Sequence, residues 1–132
     1  MDATTREFVR QRAGHRCEYC RLPQAAAPFF AFHVEHVRAK QHHGGDDTEN
    51  LALACPDCNR FKGPNLSAID PESGTLVPVF NPRTQIWQEH FVLVGGEIIG
   101  RTPVGRATAA LLNMNEELRL ELRSELLRNG EL

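Results

Sequence analysis

The sequence predicts an α+β fold stapled by a four-cysteine zinc site and completed by a C-terminal β-hairpin and helical extension. Two Cys-x-x-Cys pairs, Cys17 and Cys20 in CEYC and Cys55 and Cys58 in CPDC, are separated by 34 residues. That spacing lets two knuckles close around one tetrahedral zinc ion. Between the pairs, FHVEHV and LALA read as short strands, and CPDCNRFKG as a short helix. Farther along, Gly95-Gly96 separates two apolar runs as a hairpin turn, ahead of a long stretch of helical periodicity.

Taken in order, TTREFVRQRA over residues 4–13 has the pattern of a helix that turns Phe8, Val9 and Ala13 inward and stops at Gly14. The first knuckle follows, then the Pro- and Ala-rich connection RLPQAAAPFF. The strand FHVEHV leads into a polar loop, RAKQHHGGDDTEN, with Gly44 and Gly45 as turn residues, and LALA at residues 51–54 is the second strand. In CPDCNRFKG, Pro56 suits the first helical turn and Gly63 its stop. TLVPVF and WQEHFVLVGGEIIG are expected as strands, with Trp87 in the core. Thr102 as N-cap and Pro103 at N1 open a helix. Its buried stripe is Val104, Ala107, Leu111, Met114, Leu118, Leu122 and Leu126. Asn115 with Glu116 and Glu117 offers a second cap, so the pattern admits one long helix or two.

A chain of 132 residues is most simply one domain, 1–132, with residues 17–63 as its zinc-stapled core and 64–132 as the extension. No run approaches the ~20 apolar residues of a membrane span. The start, MDATTREFVRQRAG, lacks the basic head and apolar stretch of a signal peptide. The expected location is therefore cytoplasmic, with no membrane partner. Structural disulfides are rare there, so zinc is the leading reading of the four cysteines, ahead of redox or disulfide chemistry. Four thiolates leave no open coordination position, which makes such an ion structural and not catalytic. The net charge of −2 does not mark the whole molecule as a nucleic-acid binder: residues 1–66 carry nine Lys and Arg against eight Asp and Glu, and residues 67–132 six against nine. Nucleic acid must be met by a local patch, such as Arg6 with Arg10, Arg38 with Lys40, or Arg60 with Lys62.

Read together, CEYC and FHVEHVRAKQHHGGDDTENLALACPDCNRFKG resemble the HNH endonucleases, nucleases of the ββα-metal fold. The resemblance runs from Cys17 to Gly63 and includes, in order, an acidic-His pair, a Gly-Gly loop, an Asn-Leu, a Cys-x-x-Cys-Asn and a Lys-Gly. Residues 64–130, including FNPRTQIWQEHF and GRATAALLNMN, resemble the C-terminal extension of a bacterial subset of that family. What the resemblance implies is a small ββα-metal nuclease core carrying an H-N-N variant of the motif. In it, His36 is the general base, Asn50 ties the loop backbone and orients the base, and Asn59 occupies the last position. It further implies that Glu35 and Asn59 ligate a catalytic divalent ion, Mg²⁺ in the first instance, with Mn²⁺ or another transition metal as alternatives. Glu35 departs from the family's usual Asp, and its extra methylene moves the carboxylate by about 1.5 Å.

Phosphodiester hydrolysis asks for such a set on chemical grounds: a water made nucleophilic, an in-line approach, and charge stabilisation at the leaving oxygen. A neutral imidazole can take the water's proton at physiological pH, and a hard cation on oxygen ligands can keep positions open for phosphate. The expected activity is hydrolysis of DNA, double-stranded first, to 5′-phosphate and 3′-hydroxyl products, by a chain taken as a monomer. His33 shares a strand face with Glu35; it is a further ligand, a phosphate contact or a hydrogen-bonded structural histidine. Lys62, Arg60, Arg38 and Lys40 are candidate nucleic-acid contacts. His42 and His43 are solvated or touch the DNA backbone, and His15 and His90 are expected at the surface. Two rival functions stand beside this one: a zinc-stapled nucleic-acid-binding module without catalysis, and a scaffold for the C-terminal helices. One geometric demand follows from FHVEH. Neighbouring strand residues face opposite ways, so Glu35 and His36 reach one phosphate only if the strand bends or ends there, or if phosphate and ion sit around its edge.

Overall fold

Asp2 opens the first helix, α1 (Ala3–Arg12), by accepting from the Thr5 amide at 2.8 Å, in a computed structural model that describes residues 1–132. The chain divides into two compact units, residues 1–64 with 81–84 and residues 65–80 with 85–132.

In the first unit, α1 turns Val9 fully inward, while Phe8, expected inside, is exposed. The side chain that reaches the sheet instead is Arg12, which donates to the Leu51 carbonyl at 2.8 Å and lies 5.2 Å over the Phe8 ring. Its long stem covers apolar surface while the guanidinium finds an acceptor. The connection to the strands is closed by Gln24, whose side-chain amide bonds Ala27 O at 3.1 Å, Phe30 O at 2.9 Å and the Phe32 amide at 2.9 Å. Strands β1 (His33–His36) and β2 (Leu51–Ala54) pair antiparallel, His33 opposite Ala54 and His36 opposite Leu51, with one residue against one throughout. All four residues of β2 are buried, as its unbroken apolar run requires. Helix α2 (Pro56–Lys62) follows at once, with Pro56 in its first turn and Gly63 at its end. The ββα arrangement expected from the sequence is present.

Gly44 in the intervening loop has a steric reason. A Cβ there would lie 1.7 Å from the Arg38 carbonyl oxygen, so only glycine lets the loop fold back on the end of β1.

The second unit is built from hairpins and helices: β3 (Ser67–Ile69) with β4 (Leu76–Pro78), a helical turn α3 (Trp87–His90), β5 (Phe91–Val94) with β6 (Glu97–Gly100), α4 (Pro103–Leu111) and α5 (Glu117–Arg128). Thr102 caps α4 by accepting from the Gly105 amide at 3.1 Å. Of the two options left by the sequence, the chain takes two helices, and Glu116 caps the second. The break resets the helical phase. Leu118 is consequently 71% exposed and Leu122 also faces out, against expectation, while Arg123 is buried and donates to Gly96 O at 2.8 Å and Met114 O at 2.5 Å. Trp87–His90, expected within a strand, is helical; Trp87 is half-buried, stacked on Phe91 at 5.1 Å. His90 is not a free surface residue, because its Nδ1 meets Thr102 Oγ1 at 2.7 Å and its ring packs on Phe80. No helix is long and apolar enough to cross a membrane.

Candidate active site and metal centre

The four cysteine sulfurs lie within 4.8 Å of one another, all buried, with Cys20 Sγ 3.7 Å from Cys55 Sγ. A tetrahedron with Zn–S bonds of about 2.3 Å has S···S edges of about 3.8 Å. Each knuckle folds an amide onto its own first sulfur: Cys20 N to Cys17 Sγ at 3.5 Å, and Cys58 N to Cys55 Sγ at 3.4 Å. Burial pushes the Cys17 and Cys58 thiols up, whereas a hydrogen bond with Cys17 draws the Cys55 thiol down. Four thiolates in that volume need a cation, and the donor set is compatible with zinc.

The neighbouring residues tie this cluster to the sheet. Glu18 bonds Leu53 twice, amide to carbonyl and carboxylate to amide, each at 2.8 Å, and its other oxygen is paired with Arg83. Cys55 caps α2, so the cluster also fixes the helix that carries Asn59 immediately after Cys58.

Glu35 takes partners from two neighbouring segments. Its carboxylate is buried (7% exposed): Oε1 accepts from the Tyr19 hydroxyl, and Oε2 lies 3.1 Å from Lys62 Nζ. Burial pushes the Glu35 carboxyl up, opposed first by the Lys62 ammonium and then by the Tyr19 hydroxyl, and burial raises the Tyr19 phenol well above its usual range. The reason is the unbroken alternation of β1. With no bulge at the pair, Glu35 turns towards α2 and His36 turns outward. Glu35 still lines one concave surface with His33, His36 and Asn59, with its two oxygens engaged by Tyr19 and Lys62.

Lys62, a candidate phosphate contact from the sequence, is buried beside Glu35. It is 1% exposed, and its ammonium donates to the carbonyls of His36 at 3.2 Å and Val37 at 3.0 Å, so it pins the end of β1 to the end of α2 and is not presented to phosphate.

His36 is half-buried, and its Nε2 lies 2.7 Å from Asp46 Oδ1. The hydrogen bond from His36 holds the Asp46 carboxyl below its ordinary range. An ionised carboxylate only accepts, so Nε2 carries the proton in this contact, and the tautomer it selects in a neutral imidazole has its lone pair on Nδ1. Sequence reasoning passed over Asp46; the signal available was GGDD at the end of the loop that follows His36. Lys40 Nζ is 3.6 Å from the same Asp46 oxygen. Asn50 spans the loop: Oδ1 accepts from the Arg38 amide at 2.9 Å, and Nδ2 donates to Arg38 O at 3.0 Å and Gly45 O at 2.8 Å.

Two concave surfaces meet at His36, and both include His33 and Lys40. One also takes in Glu35 and Asn59; the other takes in Asp46. Asn59 is half-buried and its side-chain amide makes no hydrogen bond within the chain, whereas His33 is exposed. Their side chains carry nitrogen and oxygen donors of the kind a divalent ion takes. Arg38 is exposed, and Arg60 is exposed with its guanidinium 3.2 Å from Asp57 and stacked on Phe61.

Residues 17–65 match the family model described as HNH endonuclease, a little over a third of the chain. No curated protein matches this chain. No solved structure matches it either.

Proposed function

We propose that this protein is a metal-dependent endonuclease that hydrolyses DNA phosphodiester bonds, with His36 as general base and a structural zinc ion on Cys17, Cys20, Cys55 and Cys58. The observation that carries this reading is the half-buried imidazole of His36, held at Nε2 by the Asp46 carboxylate, in a concavity lined by basic side chains. The family match over residues 17–65 supports nuclease chemistry in the same segment.

Asp46 sets the tautomer and direction of the ring, leaving Nδ1 to take a proton from the attacking water. Such a base contributes about 10²- to 10⁴-fold to rate. Lys40 offers positive charge and hydrogen-bond donors to the non-bridging oxygens of a bound phosphodiester. A divalent cation supplies Lewis acidity at the scissile phosphate when bound, and Asn59 and His33 are the side chains suited to hold it. Glu35 and Lys62 act one layer behind, fixing the end of β1 and hence the position of His36.

One observation favours the rival reading of a binding module without catalysis: the carboxylate expected at the ion is sequestered. Plasmid nicking across Mg²⁺, Mn²⁺ and Ni²⁺ separates the two. Cation-dependent nicking is the expected result; salt-sensitive binding with no cleavage under any cation establishes the binding module instead.

A further inference from the structure

We propose that α1, which lies outside the family-matched segment, grips the nucleic-acid backbone beside His36 through Arg6 and Arg10, an inference that rests on the nuclease reading. The concavity that holds His36 and Asp46 is also lined by Arg6, Arg10, His33 and Lys40. Three permanent cations thus face one carboxylate, in a chain whose overall charge is −2. The positive charge is local to this surface, as a phosphate-binding track requires.

The placement follows from how α1 is anchored. Val9 is buried and Arg12 reaches the Leu51 carbonyl, which fixes the rotation of the helix about its axis. Arg6 and Arg10, one turn apart, then project together on the other flank of Val9. Neither guanidinium makes a hydrogen bond or ion pair within the chain, and the charge acting on Arg6 is the more distant Asp2 carboxylate. Two like charges one turn apart repel, a cost that an anion between them turns into a gain. Arginine's planar fork suits phosphate oxygens. The helix backbone is already ordered, so binding immobilises side chains alone.

The test uses the full chain carrying His36→Ala, so that DNA is not consumed, and a fluorescently labelled duplex titrated at a series of NaCl concentrations. Arg6→Gln with Arg10→Gln is expected to weaken binding by at least about tenfold at low salt. It should also reduce the slope of log K against log salt by about 1.8, at about 0.9 per phosphate contact. Arg6→Lys with Arg10→Lys should keep most of the slope, and Arg128→Gln, an exposed residue of the second unit, should leave affinity and slope unchanged. In the cleavage-competent chain the glutamine pair should raise KM and leave kcat near its starting value. Arg6 is exposed, so if the double variant fails to fold, Arg6→Gln alone should lower the slope by about 0.9. Unchanged affinity and slope in a protein that binds and cleaves DNA would overturn the role of α1 while leaving the nuclease reading in place. If the unsubstituted chain neither binds nor cleaves DNA, the nuclease reading fails first and the inference falls with it.

Discussion

Glu35 Oε2 lies 3.1 Å from Lys62 Nζ, and both side chains are buried. The same ammonium reaches two carbonyls at the end of β1, so this pair positions the strand end that presents His36. Removing one partner of a buried pair strands the other charge, at a cost of about 3–5 kcal/mol. Lys62→Met should therefore lower unfolding stability by about that amount, and adding Glu35→Leu should recover a large part of it. Denaturant unfolding of the single and double variants checks this. A Lys62→Met protein as stable as the starting chain contradicts the structural role.

The metal centre predicts a stoichiometry. Purified protein should carry one zinc per chain by elemental analysis, with four thiols that titrate only after the metal is released. Structural zinc contributes about 10–16 kcal/mol of apparent binding free energy in small peptides. Chelation or Cys58→Ser should consequently unfold the first unit, and added zinc should restore the chelated chain. A metal-free protein with an unchanged melting curve would rule out the staple.

Asp46 predicts a loss in turnover more than in binding. Asp46→Asn leaves a neutral amide that no longer selects the Nε2–H tautomer of His36. The rate constant for cleavage is expected to fall about tenfold or more with little change in melting temperature. Single-turnover kinetics at saturating DNA provide the measurement; an unaltered rate means Asp46 does not orient the base.

Acid sensitivity in the second unit rests on Asp70. Its oxygens take Arg106 Nε at 3.0 Å and Nη2 at 2.9 Å, together with Glu72 N and Ser73 Oγ. The Arg106 hydrogen bonds hold the carboxyl well below its usual range. A carboxyl depressed in the folded state stabilises it fully above its unfolded value of about 3.9, and that contribution is lost as pH falls below it. The melting-temperature gap between the starting chain and Asp70→Asn should be widest near neutrality and shrink below about pH 4. A gap independent of pH would exclude Asp70 as the source.

Much of this was legible in the sequence because the relevant signals are local. The two Cys-x-x-Cys pairs, the apolar runs of β1 and β2 and the Pro56 and Gly63 boundaries of α2 each lie within a few residues. What escaped depends on distance or phase. Nothing near Glu35 announces that it will pair with Lys62, 27 positions later, and a buried pair of opposite charges reads in sequence like two surface residues. Asp46 meets His36 only because the Gly44 loop folds back. The stripe through Leu118 and Leu122 assumed continuous helical periodicity, and the turn before Glu116 shifted its phase, placing Arg123 inside. The strand β3, three residues of which two are exposed, carries too little pattern to be read.

The roles of His36 and Glu35 are separated most directly by single-turnover cleavage of a DNA duplex, with His36→Ala and Glu35→Gln measured side by side under the best cation and normalised to folded protein. The account predicts that His36→Ala falls by about 10²- to 10⁴-fold, while the folded fraction of Glu35→Gln cleaves at close to the starting rate. His36→Ala cleaving at the starting rate, or folded Glu35→Gln falling as far as His36→Ala, contradicts it.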